Sequence, residues 1–219
     1  QDNLSEINFS AKFLGQTIDL DEFLEISNTS SFLVLKNGKV VFENYRHGDS
    51  KRSLHVSFSV AKSFVSTLIG IALDDGLIED LNDPIQRYLP ELNSPTFDGV
   101  SIKHVLQMSS GVRFDETYTD PSSDINRMGI LVTQMSYLNY INTLERDHEP
   151  GTFNHYASIN TQLLGILISR VTQKTLTKYM TEKLWHPLGM ENMGQWVLDE
   201  QGYELAMGGM SASARDYAK

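Results

Sequence analysis

The chain has 219 residues, 40% of them hydrophobic, so it can bury a substantial core. Its formal net charge of −10, without any lysine or arginine cluster, makes nucleic acid and anionic membrane surfaces poor partners. The absence of cysteine excludes disulfides, thiolate catalysis and cysteine-ligated zinc, and it leaves the compartment open between cytoplasmic and periplasmic or secreted. The longest apolar run, residues 64–73, is too short to cross a bilayer.

A short acidic helix and a hairpin are the first predicted elements. The helix covers residues 20–26, and two runs rich in β-branched and aromatic residues follow at 31–36 and 39–45. Between these runs stands Asn37-Gly38, which suits a type I′ turn because both of its central positions need a positive φ. We therefore predict a β-hairpin here.

The next element is a helix over residues 59–75, closed by Gly76. Ser59 and Lys62 lie three residues apart and share one helix face, so the amine can reach the hydroxyl and activate it as a nucleophile. The helix N-terminus would also favour negative charge that develops beside the serine. For one helix considered alone, the simpler alternative is favoured: Ser57 or Ser59 caps the helix and Lys62 is solvated.

From residue 81 onward the sequence predicts a helical block interrupted by loops. Asn82 or Asp83 would cap a helix with Pro84 in its first turn, and residues 115–123 form a loop. Further helices are predicted at 101–108, 124–134, 136–144, 158–171 and 175–184. We predict three parts: residues 1–80 with the hairpin and the Ser59 helix, a helical region at 81–193, and a return toward the first part at 194–219.

A second candidate motif runs from Pro150-Gly151-Thr152 to Tyr156, just before the helix at 158. A tyrosine held beside a lysine can act as a general base if its phenol ionises, although a single loop tyrosine more often packs on the core. Two-histidine helical pairs, G-x-S-x-G and phosphate-binding glycine loops are all missing from the sequence. We therefore expect no metal and no cofactor.

These motifs together resemble the serine β-lactamase-like and penicillin-binding-protein-like hydrolases. Four segments follow the order of that family: 58–72, 102–112, 150–156 and 184–190. Residues 120–129 and 208–217 are typical of its carboxylesterase and 6-aminohexanoate-dimer hydrolase branch. The resemblance extends from about Phe32 to the C-terminus, and it implies an α+β fold with an antiparallel sheet flanked by helices and an all-helical region.

The resemblance also implies roles for individual residues. Ser59 would be the acylated nucleophile, Lys62 would hold or accept its proton, and Tyr156 would complete the proton relay. Tyr118 resembles a tyrosine that helps to bind amide substrates. Ser158 stands where β-lactamases and penicillin-binding proteins carry a substrate-contacting asparagine, which shifts the expected substrate from β-lactams or peptidoglycan toward small esters or linear amides.

The family's sheet has about five strands, and a strand after the helical block supplies half of its oxyanion hole. Of this sheet the sequence predicts the N-terminal hairpin alone. We therefore expect the rest of the sheet to come from a C-terminal portion that this sequence lacks, from a second polypeptide or from self-association, and activity to depend on that completion. β-Lactamase or D-Ala-D-Ala peptidase activity, or a non-catalytic binding module of the same fold, remain the alternatives.

Overall fold

The computed structural model describes residues 10–131 and 133–219, which form two compact units. The first unit contains the described residues up to His55 together with Leu188–Gly194 and Ser211–Lys219. The second contains the described residues of Val56–Pro187 and Gln195–Met210. The predicted boundaries after residues 80 and 193 stay a prediction.

In the first unit, two hairpins flank a short helix. Strands β1 (Ser10–Phe13) and β2 (Gln16–Asp19) pair antiparallel, and α1 (Leu20–Ile26) follows with a capping box formed by Asp19 and Glu22. This confirms the predicted acidic helix.

The second hairpin is built from β3 (Ser31–Lys36) and β4 (Lys39–Tyr45), which also pair antiparallel. The turn residues Asn37 and Gly38 have φ values of 52° and 71°. Both positions are therefore in the left-handed region that a type I′ turn requires, and the predicted hairpin is confirmed.

The C-terminal helix α8 (Ala214–Tyr217) packs against β3 in the same unit. Its Arg215 guanidinium donates two hydrogen bonds of 2.9 Å to the Glu43 carboxylate on β4. A bidentate pair of this kind fixes orientation as well as distance, so it fastens the helix to the hairpin.

The second unit is built around two helices, α2 (Ala61–Asp74) and α6 (Ser158–Thr172), which pack directly on each other. The first eleven residues of α6 are buried, so the helix forms the centre of the core. Shorter helices surround this pair: α3 (Ile102–Leu106), α4 (Asp124–Leu131), α5 (Tyr137–Ile141) and α7 (Leu176–Met180), the last continued by a π-helix at Thr181–Trp185. The predicted helices are thus present, with α3 and α5 shorter than expected and with Val132, in the predicted range 124–134, outside the described residues.

The capped helix start predicted at Pro84 is wrong. Pro84 has an extended backbone with ψ 131° and is followed only by a short 3₁₀ turn, Ile85–Arg87. The reason is a competing tertiary contact, since Pro84 forms an isolated antiparallel bridge with Ser101 and the Ile85 N–H donates to the Val100 carbonyl.

The expectation of a single hairpin also needs correction. Besides the predicted hairpin β3–β4, the described residues form the hairpin β1–β2 and three further short strands, β5 (Leu54–Val56), β6 (Gln195–Trp196) and β7 (Met210–Ser213). Strands of two to four residues carry almost no periodicity, so a sequence pattern cannot predict them. In the described part of the chain, no helix is both long and apolar enough to cross a membrane.

Candidate active site

Ser59 lies in a 3₁₀ turn, Phe58–Val60, that leads directly into α2. Phe58 has a φ of 43°, a left-handed conformation that is strained for a bulky side chain and that turns the chain sharply before the serine. The turn is held from the Ser57 side, where the N–H donates to the Met210 carbonyl at 2.7 Å and the hydroxyl donates to the Phe58 carbonyl at 3.0 Å. The Ser59 side chain is exposed.

Lys62 contacts the serine from the first turn of α2. Its Nζ donates to Ser59 Oγ at 3.0 Å and to the Met207 carbonyl at 2.7 Å, and the side chain is half-buried. These two bonds fix the amine next to the hydroxyl. The simpler alternative, a solvated first-turn lysine, is therefore wrong, and the geometry follows from the i, i+3 spacing on one helix face.

Tyr156 completes the group of three. Its hydroxyl donates to Ser59 Oγ at 2.9 Å, and Lys62 Nζ lies 5.3 Å from the centre of the Tyr156 ring. The serine oxygen thus has an amine and a phenol within hydrogen-bonding distance, although 97 residues separate Ser59 from Tyr156 in the chain. Either group can exchange a proton with the serine in one step.

We call residues 150–157, which carry this tyrosine, the tyrosine loop. Main-chain bonds attach it to the segment that follows α3: the Gly151 N–H donates to the Ser109 carbonyl and the His155 N–H donates to the Met108 carbonyl, both at 2.8 Å. Gly151 has a φ of 80°, and a Cβ at this position would lie 2.8 Å from the Nε2 atom of His104. The glycine of the Pro-Gly-Thr motif is therefore required both for conformation and for space.

Tyr118 and Ser158, the two predicted substrate-binding residues, meet at a residue that the sequence analysis missed. The Tyr118 hydroxyl donates to Oε1 of Glu116 at 2.6 Å, the Ser158 hydroxyl donates to the same oxygen, and the Ser158 N–H donates to Oε2 at 2.8 Å. Burial and, to a smaller extent, the Glu116 carboxylate raise the pKa of Tyr118 to about 12. We call these three residues the Glu116 cluster.

The Glu116 carboxylate also serves the start of α6. Ala157 occupies the N-cap position, where a side chain of its own cannot accept a hydrogen bond, so Glu116 takes that role for the Ser158 N–H. A negative charge at this end of a 15-residue helix is favourable. The sequence offered one weak signal for Glu116, an acidic residue two positions before Tyr118 in the predicted loop, and acidic residues are too common in loops to be informative.

The histidines hold the surrounding backbone in place. His104 Nδ1 accepts from the Ser101 N–H in the capping box of α3, and the His155 ring hydrogen-bonds the Phe114 carbonyl at 3.0 Å. Within the described residues, no group of three or more histidine, aspartate or glutamate side chains is arranged to hold a metal ion.

Comparison with known proteins identifies the family. The family model described as Beta-lactamase matches residues 27–219. The 6-aminohexanoate-dimer hydrolase of Paenarthrobacter ureafaciens is 33% identical over 209 residues, which cover 92% of this chain and 53% of that protein. The chain therefore spans about half the length of this curated relative.

Solved structures of proteins from this family superpose on the chain. A Bacillus anthracis protein with a provisional assignment as a 6-aminohexanoate-dimer hydrolase superposes with a TM-score of 0.83 at 26% identity, over 95% of this chain and 57% of that one. An octameric penicillin-binding protein homologue from Pyrococcus abyssi superposes with a TM-score of 0.66 at 20% identity, over 91% and 53%, which shows the fold alone. The predicted α+β, β-lactamase/transpeptidase-like fold is confirmed, and the chain belongs to the Beta-lactamase family of hydrolases.

Proposed function

We propose that this chain carries the nucleophile and the proton-transfer groups of a serine hydrolase that works through an acyl-enzyme. One observation carries the proposal: Lys62 Nζ and the Tyr156 hydroxyl both lie within 3.0 Å of Ser59 Oγ. This is the arrangement of a nucleophile with an adjacent base, on a strained turn that precedes a helix.

The reaction then follows in two halves. Ser59 Oγ attacks the substrate carbonyl while its proton passes to whichever of Lys62 and Tyr156 is unprotonated. That group then delivers the proton to the departing alcohol or amine as the C–O or C–N bond breaks. In the second half, water attacks the acyl carbon, gives one proton to the same pair, and releases the acid as Ser59 regains its hydroxyl proton. Both halves use the same two groups, first as base and then as acid.

The substrate class that we propose is a small ester or linear amide. A relative of 33% identity is named for the hydrolysis of 6-aminohexanoate dimer, which contains a linear amide. In the second motif, Ser158 replaces the asparagine that β-lactamases and penicillin-binding proteins present to their substrates, and its hydroxyl is bonded to Glu116. Tyr118 is 63% exposed beside it and so can contact a substrate.

Completion of the sheet by a second polypeptide or by self-association remains part of the proposal, since the chain covers 53% of its curated relative. Activity is therefore best measured in the full natural chain that carries this sequence.

Three substrates separate the branches of the family: a short-chain p-nitrophenyl ester, 6-aminohexanoate linear dimer and a chromogenic cephalosporin. We expect turnover of the ester and the dimer. For the cephalosporin we expect kcat/KM to be lower by about 100-fold or more. A cephalosporin turned over faster than both would replace the proposal with a β-lactamase. A folded protein inactive on all three, and unreactive toward an activated ester, would indicate a non-catalytic module.

A further inference from the structure

Lys62 is held by a main-chain carbonyl as well as by the serine. Its Nζ donates to the Met207 carbonyl at 2.7 Å, which is shorter than the 3.0 Å bond to Ser59 Oγ. A lysine amine is carried on a long flexible stem, so a fixed partner is needed to keep it in one place. The position of the amine therefore depends on what holds the Met207 carbonyl.

We call residues 204–207, which end at that carbonyl, the lysine support. Its first residues form a tight turn, in which the Ala206 N–H donates to the Glu204 carbonyl at 2.8 Å. The Glu204 carboxylate accepts from the N–H and the hydroxyl of Thr177, at 2.8 and 2.6 Å, at the start of α7. The support is thus ordered, and a shift of its turn would move the Met207 carbonyl.

Helix α6 contacts this turn through Gln162. The Gln162 Nε2 donates to the Glu204 carbonyl at 2.8 Å, and the side chain is fully buried. Among the residues that the structure describes, none donates a hydrogen bond to its Oε1. A buried amide with an unpaired oxygen costs stability that an apolar side chain would not. What Gln162 contributes in return is the bond to the turn of the lysine support.

The same face of α6 contacts the support again at Gly165, three residues after Gln162. A Cβ added at Gly165 would overlap the Cβ of Ala206, which is itself fully buried. The glycine therefore determines how closely the support packs on the helix. Because α6 also follows directly on the tyrosine loop, one buried helix is attached both to Tyr156 and to the support of the lysine.

We propose that Gln162 is a positioning residue that keeps the Lys62 amine at Ser59 by fixing the lysine support. This inference rests on the proposed function, because it concerns proton transfer at the same serine. Gln162 acts through the support and not on the substrate, since its side chain is fully buried in α6. Loss of its hydrogen bond should therefore slow acylation and leave substrate binding unchanged.

The variant Gln162→Met keeps the length of the side chain and removes the donor. In the full natural chain that carries this sequence, burst kinetics with a short-chain p-nitrophenyl ester separate the acylation rate constant from the dissociation constant of the ester. We expect Q162M to lower the rate constant by about threefold to tenfold, as expected for one lost hydrogen bond, and to leave the dissociation constant unchanged. The matched control Q134M, at an exposed glutamine, should change neither.

The effect should also depend on the lysine and on the contact with α6. Adding Q162M to K62M should change the acylation rate constant by less than about twofold, because the amine that the support holds is then absent. Gly165→Ala, which pushes the support away from the helix, should lower the rate constant as Q162M does. Adding Ala206→Gly removes the opposing methyl group and should restore most of that loss, with A206G alone as the reference.

The inference would be overturned, while the proposed function stands, by a loss of the same size in the K62M background. Weaker ester binding at an unchanged rate constant, or full activity in both Q162M and G165A, would overturn it as well. Should Q162M not fold, the G165A variants carry the test, and a loss that A206G does not restore would contradict the inference. A folded parent protein that the ester does not acylate at Ser59 would overturn the proposed function, and the inference with it.

Discussion

The turn around Ser59 and the Glu116 cluster are held in different ways. The serine turn is fixed by main-chain carbonyls, with the Ser57 N–H bonded to Met210 and the Lys62 amine bonded to Met207. The Glu116 cluster depends on one side-chain carboxylate that binds two hydroxyls and one N–H. We infer that the position of Ser59 is fixed mainly by the backbone, whereas the position of Tyr118 and the start of α6 depend on a side chain that a single substitution can change.

The sharpest contrast between the two regions is expected from Lys62→Met. This variant removes the amine bonded to Ser59 and keeps the aliphatic stem, so kcat/KM should fall by about 100-fold to 1,000-fold, to the same degree for the amide and the ester. Glu116→Gln, in contrast, leaves the bond between Lys62 and Ser59 in place and should not produce this loss. The matched control is K103M, on an exposed position of α3, which should leave both rates unchanged. Full activity in K62M would show that the tyrosine acts without the lysine.

A methyl group added at Gly111 should disturb the main-chain packing near the tyrosine loop. Gly111 has a φ of 80°, and a Cβ there would lie 2.0 Å from the His148 carbonyl oxygen. Gly99 has a similar φ of 74°, but a Cβ there would meet nothing within 4 Å. We expect G111A to lower the free energy of unfolding by about 2–4 kcal/mol and G99A by about 1 kcal/mol.

Chemical denaturation of both variants measures this difference. Equal losses would mean that the left-handed backbone, and not the close approach to His148, is what requires glycine at residue 111.

The smallest effect is expected at a side-chain pair in the first unit, Glu43 with Arg215. The Arg215 hydrogen bond lowers the pKa of Glu43 from 4.5 to about 2. Because the pKa is lowered on folding, the pair stabilises the protein above pH 4.5 and loses its effect as the pH falls toward 2. At pH 7, E43Q should lower the free energy of unfolding by about 1 kcal/mol.

The difference between the parent and E43Q should shrink as the pH falls from 4.5 to 2, as measured by denaturation across that range. A difference that stays constant with pH would mean that the loss comes from packing and not from charge.

The sequence could predict the parts of the site that depend on local spacing. Ser59 and Lys62 are one helical turn apart, and Asn37-Gly38 specifies its own turn, so each of these features is encoded in two to four consecutive residues. The pairing of Ser59 with Tyr156 came from the family resemblance, since the two are 97 residues apart and no periodicity connects them.

Glu116 could not be found in this way, because its partner Ser158 is 42 residues away and its role depends on the folded path of the loop. Pro84 shows the opposite error. Its local pattern favours a helix start, but the bridge to Ser101 overrides that preference. In both cases a tertiary contact determines the structure: at Glu116 the local sequence carries no signal, and at Pro84 it favours the wrong element.

The most direct test of the central claim is covalent labelling of the folded protein with a fluorophosphonate, followed by intact mass measurement and peptide mapping. We predict one adduct per chain, located on Ser59, that is lost in S59A and kept in S63A, a substitution at a neighbouring exposed serine of α2. An adduct on another residue, or a folded parent protein that takes up no label, would contradict the assignment of Ser59 as the nucleophile.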